Sequence, residues 1–322
     1  MTLHPAVAAV RLGVRRALAD VQPGETVVGA CSGGADSLAL LAATVFEARR
    51  AGWRVVGATV DHGLQEGSAP HADRVVAQMA GLGVDETVVV RVSVDPGGRG
   101  VEAAAREARY AVLAEVAARL ESRVVLLGHT LDDQAETVLL GLVRGSGGRS
   151  IAGMRHAFDE FRRPFLEVTR AQTEAACAAE GIEPWEDPHN TDPRFTRARV
   201  RHGVLPVLEE QLGPGVAAAL ARTADSLQAD LAALDEAADE ALAAATAEDG
   251  LRVAELARRP LAIRTRALRL AALAAGSPAS ELFRVHVLAM DDLLSGAGNR
   301  SVDLPGHLRC GRRGDRLVLE RA

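Results

Sequence analysis

The segment Ser32–Ser37 reads Ser-Gly-Gly-Ala-Asp-Ser and combines glycines, hydroxyls and one carboxylate. Glycines let the backbone turn with positive φ and approach a ligand closely. Successive N–H groups before a helix then bind phosphate oxygens. A carboxylate beside a polyphosphate is explained if it holds Mg²⁺, so Asp36 is a candidate metal ligand. The alternative is a glycine-rich turn with Asp36 as a helix cap. We predict phosphate binding by Ser32, Gly33, Gly34, Ala35, Asp36 and Ser37.

A second polar segment, from His129 to Glu136, concentrates negative charge in a predicted helix start. Asp132 and Asp133 lie three or four residues before Glu136 and share a helix face with it. Such a cluster is costly unless a cation compensates it, and Mg²⁺ or an ammonium substrate would do so. The alternative is a solvated acidic turn that favours the helix dipole.

The elements around both segments alternate between apolar runs and helical patterns. Strands are predicted at 26–31, 54–60, 87–92 and 123–128, with a short fifth strand at Arg163–Leu166. Helices are predicted at 1–20, 37–50, 69–82, 101–120, 132–143 and 169–181. This order predicts an α/β fold with a doubly wound parallel sheet of about five strands. Ligands in such sheets bind at the carboxyl ends of the strands, where both polar segments lie.

The amino-acid composition changes after Leu212-Gly213-Pro214, where an Ala-rich helical stretch begins. This change predicts domains at 1–213 and 214–322. The second is predicted to be smaller and mainly helical, over 216–247 and 253–295, with a terminal hairpin within 302–320. Residues 1–250 carry 24 Arg against 36 Asp and Glu, whereas residues 251–322 carry 13 Arg against 7. This asymmetry suggests that the C-terminal part approaches an anion. An uneven soluble surface is the alternative.

Composition excludes several function classes. The sequence contains no lysine, so a Walker A loop and a Schiff-base mechanism are impossible. No run of about 18 apolar residues predicts a membrane span, and we expect no signal peptide. The three cysteines, Cys31, Cys177 and Cys310, have no metal-ligand spacing, so we expect no structural metal and a reduced, cytoplasmic protein.

The Ser32–Ser37 string resembles the PP-loop signature of the ATP-pyrophosphatase family, whose members cleave ATP between the α- and β-phosphates and activate a carbonyl as an adenylate. Further motifs resemble the tRNA(Ile)-lysidine synthetase family in order and spacing across about residues 25–210. They are Val60–Leu64, Glu102–Arg106 with Tyr110, His129–Glu136, Leu142–Gly145, Arg163–Leu166, Trp185–Asp192 and Phe195–Arg201. His189 departs from this family, which usually has Ser or Thr there. The C-terminal part is similar only in general character.

The resemblance implies a C–N ligase that uses ATP and Mg²⁺ to join free L-lysine to the wobble cytidine of a tRNA(Ile) with a CAU anticodon. No obligatory protein partner is expected. The family's ATP contacts would fall on the phosphate loop, Asp61 and His62, and the catalytic or Mg²⁺ roles on Asp36 and Asp133. Asp132 and Glu136 would receive the lysine ammonium. Contacts to tRNA or substrate would come from His129, Arg106, Arg144, Arg197 and Arg201.

Three other functions stay possible for a chain with this loop. A 2-thiocytidine-type thiolase needs cysteine pairs or an Fe–S cluster, which three isolated cysteines do not suggest. A glutamine-fed synthetase needs an amidotransferase nucleophile that is not visible. A non-catalytic nucleotide-binding or tRNA-binding protein is the third, and the two intact polar segments disfavour it.

Overall fold

A computed structural model describes residues 3–61, 68–92, 101–145, 147–185, 192–295 and 300–321. The chain forms two compact units, residues 1–227 and 228–322. The division falls inside one helix, Val216–Ala245, rather than at the loop around Gly213. The functional division at 213/214 stays a prediction.

A six-stranded sheet organises the first unit, in the order β3-β2-β1-β4-β6-β5. The first five of these strands run parallel, and β5 pairs with β6 in the antiparallel direction. The doubly wound α/β class predicted from the sequence is confirmed. The strands are β1 (Thr26–Ala30), β2 (Arg54–Asp61), β3 (Glu86–Arg91), β4 (Val124–Leu126), β5 (Ala157–Phe158) and β6 (Phe161–Arg162).

The predicted fifth strand at Arg163–Leu166 is wrong, because the last parallel strand is β6 and the chain turns immediately after it. Arg162 pairs with Leu126 of β4, which leaves Arg163 at the carboxyl edge of the sheet. Its side chain is therefore free to point along that edge rather than out of a sheet face.

Alternate residues of the central strands face opposite layers of helices. In β1, Val27 belongs to one buried cluster and Val28 to the other. The period of two places an apolar residue on each face, as a strand buried on both sides requires. The helices of this unit, up to the one that crosses the division, are α1 (Pro5–Ala17), α2 (Ala35–Ala51), α3 (Ser68–Leu82), α4 (Val101–Arg119), α5 (Leu131–Arg144), α6 (Gly148–Ile151), α7 (Arg170–Glu180), α8 (Thr196–Arg199), a π-helical turn (Val200–Val204), α9 (Leu205–Leu212) and α10 (Val216–Ala245).

The second unit combines helices with an antiparallel sheet in the order β7-β8-β11-β10-β9. The predicted hairpin is present as β10 and β11, but it belongs to this larger sheet. The predicted helical stretch 253–295 is divided into three helices, and Pro260 precedes the first residue of the second. The elements are β7 (Thr246–Ala247), β8 (Gly250–Arg252), α11 (Val253–Ala257), α12 (Leu261–Ala274), α13 (Arg284–Ser295), β9 (Ser301–Leu304), β10 (Leu308–Arg313) and β11 (Arg316–Arg321).

Candidate active site

The phosphate loop joins β1 to α2 as predicted. Gly33 has φ +83°, and a Cβ there would lie 2.8 Å from Cγ2 of Val75, so the turn needs glycine. The Ser37 hydroxyl braces the loop, since it accepts from Ser32 N–H at 3.1 Å and donates to the Gly34 carbonyl at 2.9 Å. Gly34 caps α2 without a side-chain hydrogen bond. The first N–H groups of α2 thus keep their capacity to bind an anion.

Two residues that were not among the predicted site residues hold the outer side of this loop. His71 Nε2 lies 3.0 Å from the Ser32 carbonyl oxygen, and the Trp185 N–H donates to the Gly33 carbonyl at 2.8 Å. The rings of His71 and Trp185 pack at 3.9 Å between centroids. The loop is therefore fixed from α3 and from the segment after α7.

The second polar segment begins where β4 ends. A Cβ on Gly128 would lie 3.1 Å from the Asp36 carbonyl, so glycine lets this edge approach the phosphate loop closely. Thr130 caps α5, and the Asp133 carboxylate accepts from the Thr130 N–H at 2.9 Å and from its hydroxyl at 3.0 Å. This capping box fixes Asp133 before any ligand is considered.

Arginines compensate the carboxylate cluster. Arg170, the first residue of α7, places its guanidinium 2.9 Å from Asp133, 3.5 Å from Asp36 and 3.6 Å from Glu136. Its backbone N–H also donates to the Asp132 carboxylate at 2.7 Å. The sequence predicted Mg²⁺ or a substrate ammonium as the compensating cation, and it missed Arg170. The Thr169 capping box at the start of α7 is the signal that places Arg170 at a helix N-terminus.

Arg201 makes the second set of ion pairs, to Glu136 and Asp133. Its Nε and Nη2 lie 2.6 and 3.1 Å from the two Glu136 oxygens, and Nη2 lies 3.1 Å from Asp133. Arg197 approaches Glu136 at 3.7 Å and donates to Thr137 at 3.2 Å. Arg201 and His202 lie on the π-helical turn, whose wider bonding pattern is found at many functional sites.

Burial and neighbouring charges shift the pKa values of three side chains in this site. Burial raises the pKa of Asp36 to about 6 in spite of its bonds to Thr173 and Arg170. For Asp133, burial acts in the same direction, but the Arg170 guanidinium, the Thr130 N–H and the Arg201 guanidinium outweigh it and hold the pKa below its usual value. Burial lowers the pKa of His129 to about 3. Asp133 is thus ionised and His129 neutral at pH 7.

These elements enclose one cavity of about 760 Å³ at the carboxyl edge of the sheet. Seven of the predicted site residues from the two segments line it, together with Arg201: Ser32, Gly34, Ala35, Asp36, Ser37, His129 and Asp133. Several lining residues were not predicted: Thr59, Val60, His71, Arg109, Leu113, Arg170, Glu174, Trp185 and His202. They come from separate elements, which no local pattern connects.

Other predicted site residues lie outside the lining. Asp61 is buried and pairs with Arg91 at 3.1 Å, and Glu136 has no exposed surface. Arg106 and Arg144 are exposed, and they donate to the Tyr110 hydroxyl and to the Leu140 carbonyl. His62 lies outside the described residues. The roles assigned to all of these residues stay predictions.

The cysteines give no sign of a metal centre. Cys31, Cys177 and Cys310 are free and buried, and the last lies in the second unit. Within the described ranges no three His, Cys, Asp or Glu side chains are arranged to hold a metal ion. In the same ranges no helix is long and apolar enough to cross a membrane.

Comparison with known proteins adds two family matches. Residues 10–208 match a PP-loop domain and residues 251–318 match a TilS substrate binding domain. The chain is 54% identical to the tRNA(Ile)-lysidine synthase of Thermobifida fusca, covering 98% of this chain and 97% of the relative. It is 48% identical to the tRNA(Ile)-lysidine synthase of Streptomyces coelicolor, covering 98% of both. A U34-tRNA thiolase structure from Methanococcus maripaludis aligns with TM-score 0.56 at 17% identity, over 69% of this chain and 78% of that one. That likeness concerns the fold alone.

Proposed function

The chain belongs to the tRNA(Ile)-lysidine synthase family, and we propose that it forms lysidine on tRNA(Ile) at the expense of ATP. One observation carries the proposal at the level of the site. The phosphate loop and the His129–Asp133 segment, far apart in sequence, line the same cavity. A nucleotide phosphate at the loop would therefore lie beside ionisable side chains on the neighbouring strand's edge.

The chemistry that this arrangement serves has two steps. The cytosine carbonyl oxygen attacks the α-phosphorus of ATP and pyrophosphate leaves, which makes that oxygen part of a good leaving group. The lysine ε-amine then attacks the ring carbon, loses a proton, and displaces AMP. The loop N–H groups and the guanidiniums of Arg170 and Arg201 face the cavity, where they would stabilise charge on the phosphates.

Asp36 and Asp133 fit a Mg²⁺ ion that arrives with ATP. Both line the cavity, and the raised pKa of Asp36 reports a buried carboxylate that its present partners compensate incompletely. One or two carboxylates plus substrate phosphates are an ordinary Mg²⁺ site. When bound, the ion would neutralise charge on the polyphosphate. Asp36 and Asp133 would hold it, and Arg170 would keep both carboxylates in place.

The lysine ammonium has no direct access to Glu136, because this carboxylate is fully buried. Its two oxygens bond to Arg201, so an ammonium reaches it only if that guanidinium moves. Asp132 accepts from the Arg170 N–H and is partly exposed. The proposal that Asp132 and Glu136 receive lysine thus includes a displacement of Arg201 on binding. Glu174, exposed at the cavity, is the carboxylate that needs no such movement.

The second unit would bind the tRNA. It carries the 251–318 match, and residues 251–322 hold 13 Arg against 7 acidic residues. Arg284 and Arg300 are exposed and pair with no carboxylate among the described residues. Phosphate contacts from such arginines supply affinity without sequence readout. Free L-lysine, the CAU anticodon and a cytoplasmic location complete the proposal, with no protein partner required.

The test is mass spectrometry of tRNA nucleosides after incubation with ATP and isotope-labelled lysine. We expect labelled lysidine with a CAU-anticodon tRNA(Ile) and none with a matched tRNA that has U at the wobble position. The control enzyme is Asp36→Asn. Label-free 2-thiocytidine, or ATP binding without any modified nucleoside, would refute the proposal and favour the thiolase or the non-catalytic alternative.

A further inference from the structure

Arg163 is a buried arginine at the carboxyl edge of the sheet, next to the cavity but outside its lining. It is 6% exposed, and its guanidinium stacks on the Phe158 ring, 4.4 Å from the centroid. Nη1 donates to the Arg155 carbonyl at 2.7 Å, and Nη2 donates to the Tyr110 hydroxyl at 3.2 Å. The remaining donor of the guanidinium, Nε–H, donates to His129 Nδ1 at 3.3 Å. Among the described residues no carboxylate pairs with Arg163.

This contact fixes the protonation of the His129 ring. A guanidinium has donors only and keeps its proton in proteins. His129 Nδ1 must therefore accept, and its lone pair has to be free. An imidazolium has no free lone pair, and the other neutral tautomer carries its proton on Nδ1. The arrangement leaves one state, a neutral ring with the proton on Nε2.

The charged groups around His129 act in both directions. Arg163, Arg106 and Arg197 oppose a positive charge on the ring, whereas Asp133 favours one. Burial is the largest effect and also favours the neutral ring, so the pKa of His129 is lowered to about 3. The neutral state is thus supported by the hydrogen-bond geometry and, separately, by the burial of the ring.

The Nε2–H of His129 is available to a ligand. His129 lines the cavity, and no described residue bonds to its Nε2. It follows Gly128, the residue that meets the Asp36 backbone of the phosphate loop. A nucleotide held by that loop places anionic phosphoryl oxygens on this side of the cavity, and they accept hydrogen bonds but have no proton to give.

We infer that Arg163 is a positioning residue that locks His129 as the neutral Nε2–H tautomer, so that His129 donates a hydrogen bond to a phosphoryl oxygen of the bound nucleotide. Arg163 itself touches no substrate. His129 acts as a fixed donor and not as a general base, because its Nδ1 is occupied and its Nε2 already carries the proton. The choice of nucleotide as ligand rests on the proposed function, whereas the tautomer does not.

The tautomer is tested by ¹⁵N NMR of histidine-labelled full-length protein without ATP or tRNA. His129 is assigned by comparison with His129→Gln. We expect a pyridine-like Nδ1 and a pyrrole-like Nε2 that do not titrate from about pH 5 to 8. Arg163→Met should lose the single-tautomer signature, so that Nδ1 is no longer purely pyridine-like, while burial keeps the ring neutral over the same pH range. Arg163→Lys should retain it, because lysine keeps a cationic donor. Arg162→Met, whose arginine bonds to Ala17 and Asp20 instead, is the matched control.

A protonated Nδ1 or a cationic ring in the wild-type protein overturns the inference, and so does an unchanged signature in Arg163→Met. The wild-type spectrum decides even if that variant fails to fold. In folded protein, Arg163→Met should lower the rate of lysine-independent pyrophosphate release roughly tenfold. This factor corresponds to the loss of about one charge-assisted hydrogen bond. Arg163→Lys should restore most of this rate, and equal loss in both variants counts against tautomer control. A correct tautomer in a protein that forms no lysidine would refute the proposed function alone.

Discussion

Glu136 provides the sharpest test of the arginine–carboxylate cluster. Its carboxylate is fully buried and accepts two hydrogen bonds from Arg201, at 2.6 and 3.1 Å, with Arg170 and Arg197 at 3.6 and 3.7 Å. Glu136→Gln keeps the shape of the side chain and removes the charge. Arg201 and Arg170 then share the remaining partners, Asp133 and Asp36.

The expected cost follows from this geometry. Removing one partner of a buried ion pair destabilises a protein by about 3–5 kcal/mol. Because Arg201 and Arg170 each retain Asp133 as a partner, we expect a loss near the lower end, about 3 kcal/mol. For a unit of residues 1–227 this corresponds to a Tm lower by roughly 6–12 °C. Lysine-independent pyrophosphate release should also fall roughly tenfold or more, because Arg201 lines the cavity and loses its anchor.

Calorimetry and the pyrophosphate assay, run well below the Tm, measure these two effects. Glu174→Gln is the matched control, since Glu174 is an exposed carboxylate of the same cavity, and its Tm should change little. Glu136→Gln with Arg201→Gln should cost less than the sum of the two changes. An unchanged Tm with normal pyrophosphate release would refute this reasoning, because Arg201 and Arg170 would then not depend on Glu136.

Three further outcomes are expected. Because burial raises the pKa of Asp36 from 3.8 to about 6, its ionised form opposes folding above that pH. Asp36→Asn should therefore raise the free energy of unfolding of the metal-free protein by up to about 3 kcal/mol at pH 8, and by progressively less towards pH 4. The same change should abolish pyrophosphate release. Urea titrations that give equal stability effects at both pH values would contradict this expectation. Burial raises the pKa of Cys177 and of Cys310 to about 12, so both thiols should resist alkylation in native protein, and replacing all three cysteines with Ala or Ser should preserve lysidine formation as read by mass spectrometry. Arg284→Gln with Arg300→Gln should weaken tRNA binding and flatten its salt dependence by roughly 0.7–0.9 per lost phosphate contact, and an unchanged slope in filter-binding titrations would show that these arginines face away from tRNA.

The sequence determined those features that depend on neighbours along the chain. Apolar runs of the right length defined β1 to β4, and Gly33 and Ser37 defined the loop between β1 and α2, because strand burial and positive φ leave local signatures. The α/β order then placed both polar segments at one sheet edge. The strand misplaced to Arg163–Leu166 shows the limit, since a two-residue strand such as β6 has no period to detect.

The tertiary structure decided which charges meet. Asp133 and Glu136 were identified from spacing, but their partners, Arg170 and Arg201, follow them by more than 30 and 60 residues and arrive from α7 and from a π-helical turn. Likewise, the motif containing Arg163 was visible in the sequence, whereas its contact with His129 was not. Spacing along a helix fixes which side chains share a face, but it does not determine which residue the fold brings opposite that face. The charge state of a buried group depends on that opposing residue, because short-range partners and burial set its pKa.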